Sequence, residues 1–418
     1  MTHEMTDELN NDANDDQHDE LPDELIIRLA ARGDGMTESG RGIPLSAPGD
    51  MVTFDAKLIP GPHHVEPVCK HFPACGGCQL QHVDDETYAE YLEARIRDAL
   101  KSQRITPPEI RAPILSPAGA RRRVTLHAER RGHNLRLGFL EKGSNKLVDI
   151  SMCPVMDPVI WDMIAPLKKL LAKIMPPRGA ATIQLDRADQ GIAVLMGKFE
   201  VEGLEAAEGL TDFAKQHKLA RLALDEGYGP EMRWEPEPAT ITLSGVAVGL
   251  PVNPFLQATL DGEAALVAAV TDICAGAENI ADLFAGIGTF ALPLSEHAHV
   301  IAAEGARDAA MALQQAANRA RRHIKVQHRD LFRNPLMQDE LKGLDAVVID
   351  PPRAGAALQM VELAKSNVPV IAAISCNPAT FARDIRPLLD AGYTLDWVQP
   401  VGQFRWSTHV ELVAKISR

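Results

Sequence analysis

Three groups of residues in this chain have the types and spacing to do chemistry. The first is Cys376, in Ser375-Cys376-Asn377-Pro378, with Asp350-Pro351-Pro352-Arg353 upstream and Glu411, in His409-Val410-Glu411-Leu412, downstream. A thiolate near a carboxylate suits covalent catalysis followed by proton removal. C5 of a uracil is too weakly nucleophilic to attack a methyl sulfonium. A thiolate added at C6 turns the ring into an enolate that can take a methyl group at C5. A base must then remove the C5 proton so that the thiol can leave. Cys376 is the candidate nucleophile and Glu411 the candidate base. A lone cysteine is often only a small buried hydrophobe. The flanking Asn-Pro and the Asp-Pro-Pro step favour the reactive reading.

The second group is Asp282-Leu283-Phe284-Ala285-Gly286-Ile287-Gly288-Thr289. Glycines after a strand let backbone N–H groups approach a ligand at a helix N-terminus. The third glycine of the dinucleotide fingerprint is absent, and Ala291 stands in its place. Glu304 ends the next strand, where a carboxylate can take both ribose hydroxyls, and Asp330 ends the third, where it can meet an adenine. Alone, this motif fits any nucleotide-binding Rossmann unit. The third group is Cys69, Cys75 and Cys78, with Cys153 farther on. Four thiolates suit a [4Fe-4S] cluster or a tetrahedral zinc. Zinc sites more often use paired Cys-x2-Cys, and only one such pair is present. The spacing and the fourth cysteine argue for a closed, structural site.

Charge is unevenly spread. The net charge is -14, yet residues 1–25 hold ten Asp or Glu and no Lys or Arg. Two basic clusters follow: Arg121, Arg122 and Arg123 with Arg130, Arg131 and Arg136, and Arg319, Arg321 and Arg322 with Lys325. Beside the catalytic signals, these read as an RNA phosphate track. The N-terminus has no basic and apolar signal-peptide pattern, and no apolar run reaches membrane-spanning length. A cytoplasmic, membrane-free monomer is expected.

The elements that must position these residues divide the chain into four expected parts. Residues 1–22 read as a disordered acidic tail. Residues 23–65 read as a small β-barrel-like segment of short strands and Gly-rich turns. Residues 66–250 form an α+β central domain, with a helix over 86–101, strands near 123–127, 135–139 and 146–150, a helix over 156–174, and strands within 181–197 and 239–249. Residues 251–418 alternate strand and helix. Their five apolar strands imply a parallel sheet with right-handed crossovers, and a closing antiparallel hairpin is expected at its edge. The fold class is α/β, with a C-terminal Rossmann-like seven-stranded domain.

From about Val65 to the C-terminus the chain resembles the RNA (uracil-5-)-methyltransferase family. The most specific signals are Asp350-Pro351-Pro352-Arg353, Ser375-Cys376-Asn377-Pro378 and His409-Val410-Glu411. The resemblance implies Cys376 as nucleophile, Glu411 as base, and S-adenosylmethionine contacts at Gln257, Phe284, Thr289, Glu304, Asp330 and Asp350. It is closest to the ribosomal-RNA branch, which implies a [4Fe-4S] cluster on Cys69, Cys75, Cys78 and Cys153. It also implies ribosomal RNA as partner, at a single-stranded or locally unpaired uridine. Residues 25–60 resemble a shortened RNA-binding barrel. Two positions depart from the family pattern: Thr259 replaces an Asn, and Phe404-Arg405-Trp406-Ser407-Thr408 replaces Phe-Pro-His-Thr. Competing readings are a tRNA-directed methyltransferase, an amino-directed one, which usually has an aromatic where Arg353 stands, and an inactive iron-sulfur RNA-binding protein.

Overall fold

The computed structural model describes residues 23–418, so the expected acidic tail, 1–22, lies outside the described residues. The chain opens with five short strands, β1 (Glu24–Leu29), β2 (Gly35–Thr37), β3 (Gly42–Ile43), β4 (Met51–Val52) and β5 (Leu58–Ile59), in one curled sheet of order β3-β2-β1-β4-β5. Glycine makes the tight curl possible: a Cβ on Gly35 would lie 2.7 Å from the Ile26 side chain. Helix α1 (Asp85–Ser102) starts at Asp84, whose carboxylate accepts the Thr87 N–H at 2.8 Å. Its buried stripe of Tyr88, Tyr91, Leu92, Ile96 and Leu100 packs on the C-terminal sheet, sharing a core with Ile385, Leu388 and Val398. Strands β6 (Glu109–Ile110) and β7 (Ile114–Leu115) then extend that sheet's edge, pairing parallel to its outermost long strand.

A second sheet holds β8 (Arg123–Arg131), β9 (Asn134–Leu140), β10 (Leu147–Asp149), β11 (Arg178–Ala188), β12 (Gly191–Gly197), β13 (Arg221–Asp225) and β14 (Pro230–Trp234), in the order β10-β9-β8-β11-β12-β13-β14. The helix expected over 156–174 is two helices, α2 (Pro158–Asp162) and α3 (Ile164–Ile174), hinged at Met163. Helix α4 (Leu204–Gln216) and strands β13 and β14 are additional to the sequence reading. Helices α3 and α4 cover one face of the sheet, against Leu126, Ile183, Val194 and Met196. The hairpin β15 (Thr240–Leu243) and β16 (Val246–Gly249) forms its own two-stranded sheet. Its Ile241, Leu243 and Val248 pack with α5 (Leu260–Ile273) in the core of the last sheet.

That sheet comprises β17 (Asn279–Leu283), β18 (His299–Glu304), β19 (Ile324–His328), β20 (Ala346–Ile349), β21 (Val370–Ser375), β22 (Thr394–Gly402) and β23 (Glu411–Ser417). Helices α6 (Ala291–Leu294), α7 (Arg307–Ala320), α8 (Ala357–Lys365) and α9 (Pro378–Asp390) connect them. The order is β19-β18-β17-β20-β21-β23-β22-β6. The first five are parallel, while β23 inserts antiparallel between β21 and β22. The last strand is therefore interior rather than an edge, which suits its almost wholly buried sequence, Glu411-Leu412-Val413-Ala414. Both strand order reversal and strand C-termini meet beside β17 and β20, where an open α/β sheet binds its ligand.

Candidate active site

The loop after β17 is shaped for close approach. Phe284, Gly286 and Gly288 have φ of 63°, 56° and 101°. Gly288 admits no side chain, because a Cβ there would lie 2.4 Å from Leu313 Cδ1. The following helix, α6, has four residues only. What fixes the loop is Glu304, whose carboxylate accepts the N–H groups of Gly286 at 2.8 Å and Ala306 at 2.6 Å. Thr289 is partly exposed at the loop's end. Asp330 is exposed and accepts the Phe332 N–H at 3.0 Å. The Phe332 ring, 5.4 Å from that of Phe284, makes an aromatic pair open to solvent beside it. Phe332 was not singled out from the sequence; its place two residues after Asp330 was the signal available.

A chain of amides links two carboxylates at the centre of the site. Gln257 Nε2 donates to Asp350 Oδ2 at 3.3 Å, and Gln403 Nε2 lies 2.8 Å from Gln257 Oε1 and 3.0 Å from Glu411 Oε2. Gln403 Oε1 accepts the Ala258 N–H at 2.9 Å. Gln257, Gln403 and Glu411 are all buried. Gln403 stands out only once β22 and β23 are paired. Burial raises the Glu411 carboxyl well above its ordinary range, and the Asp350 charge raises it further. Burial lifts Asp350 to about 7. Asp282 is completely enclosed, with neither oxygen hydrogen-bonded to a described residue, and burial with repulsion from Asp350 pushes it to about 8. A crevice that gathers buried carboxyl groups with raised pKa favours a cation beside them.

Cys376, at the end of β21, opens into a cleft of about 870 Å3 together with Arg121, Arg353, Phe404 and His409. Asn377 caps α9 by accepting the Ala379 N–H at 3.1 Å, and its amide reaches Arg353 O at 3.4 Å, so the two proline motifs are tied. Burial, then the charges of Glu411 and Asp350, raise the Cys376 thiol to about 11. Cys69, Cys75, Cys78 and Cys153 line the far side of the same cleft. All are free thiols, and burial raises Cys75, Cys78 and Cys153, with Cys78 at about 12. No three of their sulfurs lie within 4.8 Å of one another; the compact donor group among the described residues is instead His63, Asp84 and Glu86, where Asp84 already caps α1.

The arginine run at 121–123 is split by the fold. Arg122 is buried, pairs with Glu263 at 2.5 Å and donates to Gln257 O at 3.0 Å, so it secures the cofactor-side loop and is no phosphate contact. Arg123 pairs with Asp186, while Arg121 faces the cleft over the Phe404 ring at 5.4 Å. The two departures from the family pattern have local reasons. Thr259 caps α5, accepting the Gly262 N–H at 3.1 Å. In the 404–408 loop, Arg405 pairs with Asp85, and Trp406 O accepts the N–H groups of Gln79 and Leu80 at 2.8 and 2.9 Å. That loop therefore joins the cysteine segment to His409-Val410-Glu411.

A sequence model of the tRNA (uracil-5-)-methyltransferase family matches residues 252–418. An uncharacterized RNA methyltransferase of Zymomonas mobilis is 48% identical over 393 residues, 94% of this chain and 99% of its own length. A 23S rRNA (uracil(1939)-C(5))-methyltransferase of Chromohalobacter salexigens is 32% identical over 379 residues, 87% of this chain and 78% of its own. The chain belongs to the RNA (uracil-5-)-methyltransferase family. The fold agrees: a Pyrococcus abyssi tRNA (uracil-54, C5)-methyltransferase, solved with S-adenosyl-L-homocysteine, has a TM-score of 0.73 at 24% identity, covering 94% of this chain and 100% of that one. As a member of that family, the protein is an S-adenosylmethionine-dependent RNA methyltransferase.

Proposed function

We propose that the protein methylates C5 of a uridine in ribosomal RNA, with Cys376 as covalent nucleophile and Glu411 as base. The observation that carries this is the convergence of Cys376, Asp350 and Glu411 at one point, bridged by Gln257 and Gln403. The ribosomal substrate rests on the Chromohalobacter salexigens relative, whose name specifies 23S rRNA.

S-adenosylmethionine supplies the methyl group. Asp282, Asp350, Glu304, Asp330, Gln257, Thr289 and the Phe284–Phe332 pair would hold it, the buried carboxylates answering its positive charge. The chain's own residues do the rest. In the free enzyme burial favours Cys376 as a neutral thiol and Glu411 as a neutral carboxyl. Both must release their protons to solvent as the site fills, which a cationic cofactor beside the carboxylates favours. The thiolate adds to C6, forming a C–S bond as the C5=C6 double bond opens and electron density moves to C5 and O4. Once C5 has gained the methyl group, Glu411 takes the C5 proton, the double bond re-forms and the C–S bond breaks. A carboxyl raised by burial is a stronger base than an exposed one, which suits this step. Gln403 donates to Glu411 and so aims the oxygen that accepts the proton.

We also infer that Cys69, Cys75, Cys78 and Cys153 hold a [4Fe-4S] cluster. Zn–S bonds of about 2.3 Å would set four sulfurs roughly 3.8 Å apart, closer than the thiols stand here, whereas a four-iron cluster needs a wider cage. The cluster would join the cysteine segment to β9 and β10 and form one wall of the substrate cleft. Anaerobically purified protein should contain about four irons, and stoichiometric zinc without iron would overturn this assignment.

The enzymatic reading is tested by tritium release from RNA carrying [5-3H]uridine. Wild type should release tritium in step with methyl incorporation. Cys376→Ala should lose turnover by a factor on the order of 10³ or more, as for a deleted nucleophile, yet bind S-adenosylmethionine with unchanged affinity. Appreciable methylation by Cys376→Ala would remove the thiol from the mechanism.

A further inference from the structure

The covered face of the central sheet packs on α3 and α4. Of its other face, the end that carries Gln184, Asp186 and Ala193 is buried, while the stretch with Thr125, His127, Glu129 and Arg131 of β8 and Arg178, Ala180 and Thr182 of β11 is exposed or half-exposed. Register fixes what that face presents. One cross-strand row reads Gly138, His127, Thr182, Gly197, and the next reads Arg136, Glu129, Ala180. Cross-strand partners share a face, so the middle of the trough is small and polar, Gly138, His127, Thr182 and Gly197, with Leu140 and Leu147 on one wall. Two leucines among polar and basic side chains make a poor seat for an apolar protein partner.

The walls of the trough are basic. A depression of about 650 Å3 is lined by His127, Arg131, Arg136, Lys146 and Lys198. It shares His127, Leu140 and Asn145 with the catalytic cleft, which contributes Arg121, Arg353 and Lys142. At its other end it shares Glu129, Arg131 and Ala180 with a third depression, which adds Arg130 and Arg178. The only carboxylates along this path are Glu129 and Glu141. Arg178 and Lys198 are exposed and have no carboxylate within ion-pair distance among the described residues. Arg178 is also the direct cross-strand partner of Arg131. Like charges directly opposite on a sheet are destabilising. Glu129, 2.6 Å from Arg131, answers one of the two charges and is shared with Arg136, so Arg178 and Lys198 are left with no carboxylate partner among the described residues, which suits a polyanion.

We propose that the RNA strand flanking the target uridine runs along this open face, from the Cys376 cleft to a remote phosphate contact at Arg131, Arg178 and Lys198. This rests on the uridine-methylation reading and adds where the substrate lies. Strand β8 spans about 30 Å at roughly 3.3 Å per residue, so the remote site touches only RNA extending several nucleotides beyond the target. The floor has no Phe, Tyr or Trp and His127 as its one ring, so at the remote basic residues phosphate neutralisation is the interaction, which is sequence-independent and salt-sensitive.

The test uses the full chain, loaded with S-adenosylhomocysteine, and two fluorescent single-stranded RNAs with one uridine flanked by short or long arms. The variant is Arg131→Gln/Arg178→Gln/Lys198→Gln. The control is Lys169→Gln/Lys173→Gln on α3, across the sheet. On the long RNA the triple variant should flatten the slope of log affinity against log salt by about 2, three contacts at roughly 0.7 each. Affinity should fall about 10- to 100-fold near 0.1 M salt. Short-RNA affinity should not change, and neither should tritium release at saturating RNA in a parallel assay with S-adenosylmethionine and the same RNAs carrying [5-3H]uridine. An unchanged slope on the long RNA, an equal loss on the short one, or the same flattening by the control would each overturn the surface. Failure of the wild type to release tritium from either RNA would instead sink the uridine reading, while the binding slopes still decide the surface.

Discussion

The strand ends of the C-terminal sheet and the open face of the central sheet carry opposite charge for opposite partners. Around β17 and β20, Asp282, Asp350, Glu304 and Glu411 crowd into a crevice whose burial raises Asp282, Asp350 and Glu411. Along β8, β9 and β11, Arg131, Arg136, Arg178 and Lys198 stand exposed or half-exposed on a floor of small residues. A sulfonium cofactor is a cation and RNA is a polyanion. The difference teaches that net charge says little about this protein's ligands, because the acidic excess is concentrated in residues 1–25 of the sequence while basic residues gather along β8, β9 and β11. It also separates two kinds of electrostatics. Buried carboxylates act through desolvation, which salt hardly screens, whereas exposed arginines act through counterion release, which salt removes.

The largest expected effect falls where the two regions meet, at Cys376 and Glu411. Glu411→Gln keeps the size of the side chain and its contact with Gln403 but cannot accept the C5 proton. Addition and methyl transfer should proceed, and elimination should stall. Turnover should fall by about 10²- to 10⁴-fold, while a protein–RNA adduct carrying the methyl label accumulates and survives denaturation. Normal turnover by Glu411→Gln would reassign the base. Thermal melting of the variant belongs with the measurement, since a collapsed pocket also gives no turnover.

Most of the C-terminal region was legible in the sequence because its signals are local. Strand, glycine loop and proline motifs each sit within a few residues, and the alternation of elements gave the parallel sheet. Two features were not local. The insertion of β23 between β21 and β22 depends on pairing across the sheet. Gln403, the amide that touches both Gln257 and Glu411, becomes meaningful only through that pairing. In the central region the basic run at 121–123 was legible as charge but not as three separate roles. Arg122 turns inward to Glu263 while Arg121 and Arg123 both line the cleft, Arg121 over Phe404 and Arg123 held by Asp186. Strand β8 begins only at Arg123, so no strand period in the sequence marks the difference. The short strands β13 and β14 carry few distinctive residues, and α4 follows a Gly with no side-chain cap, so neither announced itself.

A smaller effect belongs to Glu304. Its carboxylate holds the glycine loop through two N–H bonds and is the proposed ribose contact. Glu304→Ala should weaken S-adenosylmethionine by about 1–3 kcal/mol, the scale of a lost charge-assisted hydrogen bond. By the contrast drawn above, this loss should be nearly the same at low and high salt in calorimetry. A loss that vanished with salt would put Glu304 on the solvent-exposed side of the comparison.

The smallest effect is on the stability of the free protein, and it concerns Asp282. Its carboxyl is enclosed, unpartnered among the described residues, and raised from 3.8 to about 8. A carboxyl whose folded pKa is raised favours folding in its neutral form. Its contribution is therefore fully present below 3.8 and is lost as pH climbs through about 8. Asn mimics the neutral acid at every pH. Without cofactor, Asp282→Asn should melt above wild type by a margin that is small at pH 4, grows through neutrality and levels off beyond pH 8. At its fullest the margin should be about 2–4 °C per kcal/mol relieved, for a domain of this size. With S-adenosylhomocysteine the order should reverse, because the ammonium of the ligand stabilises a carboxylate and not an amide. A margin independent of pH would mean that Asp282 is already ionised and partnered in the free protein. A margin that persists unchanged with ligand would mean that the carboxylate crowd answers to the fold and not to the cofactor.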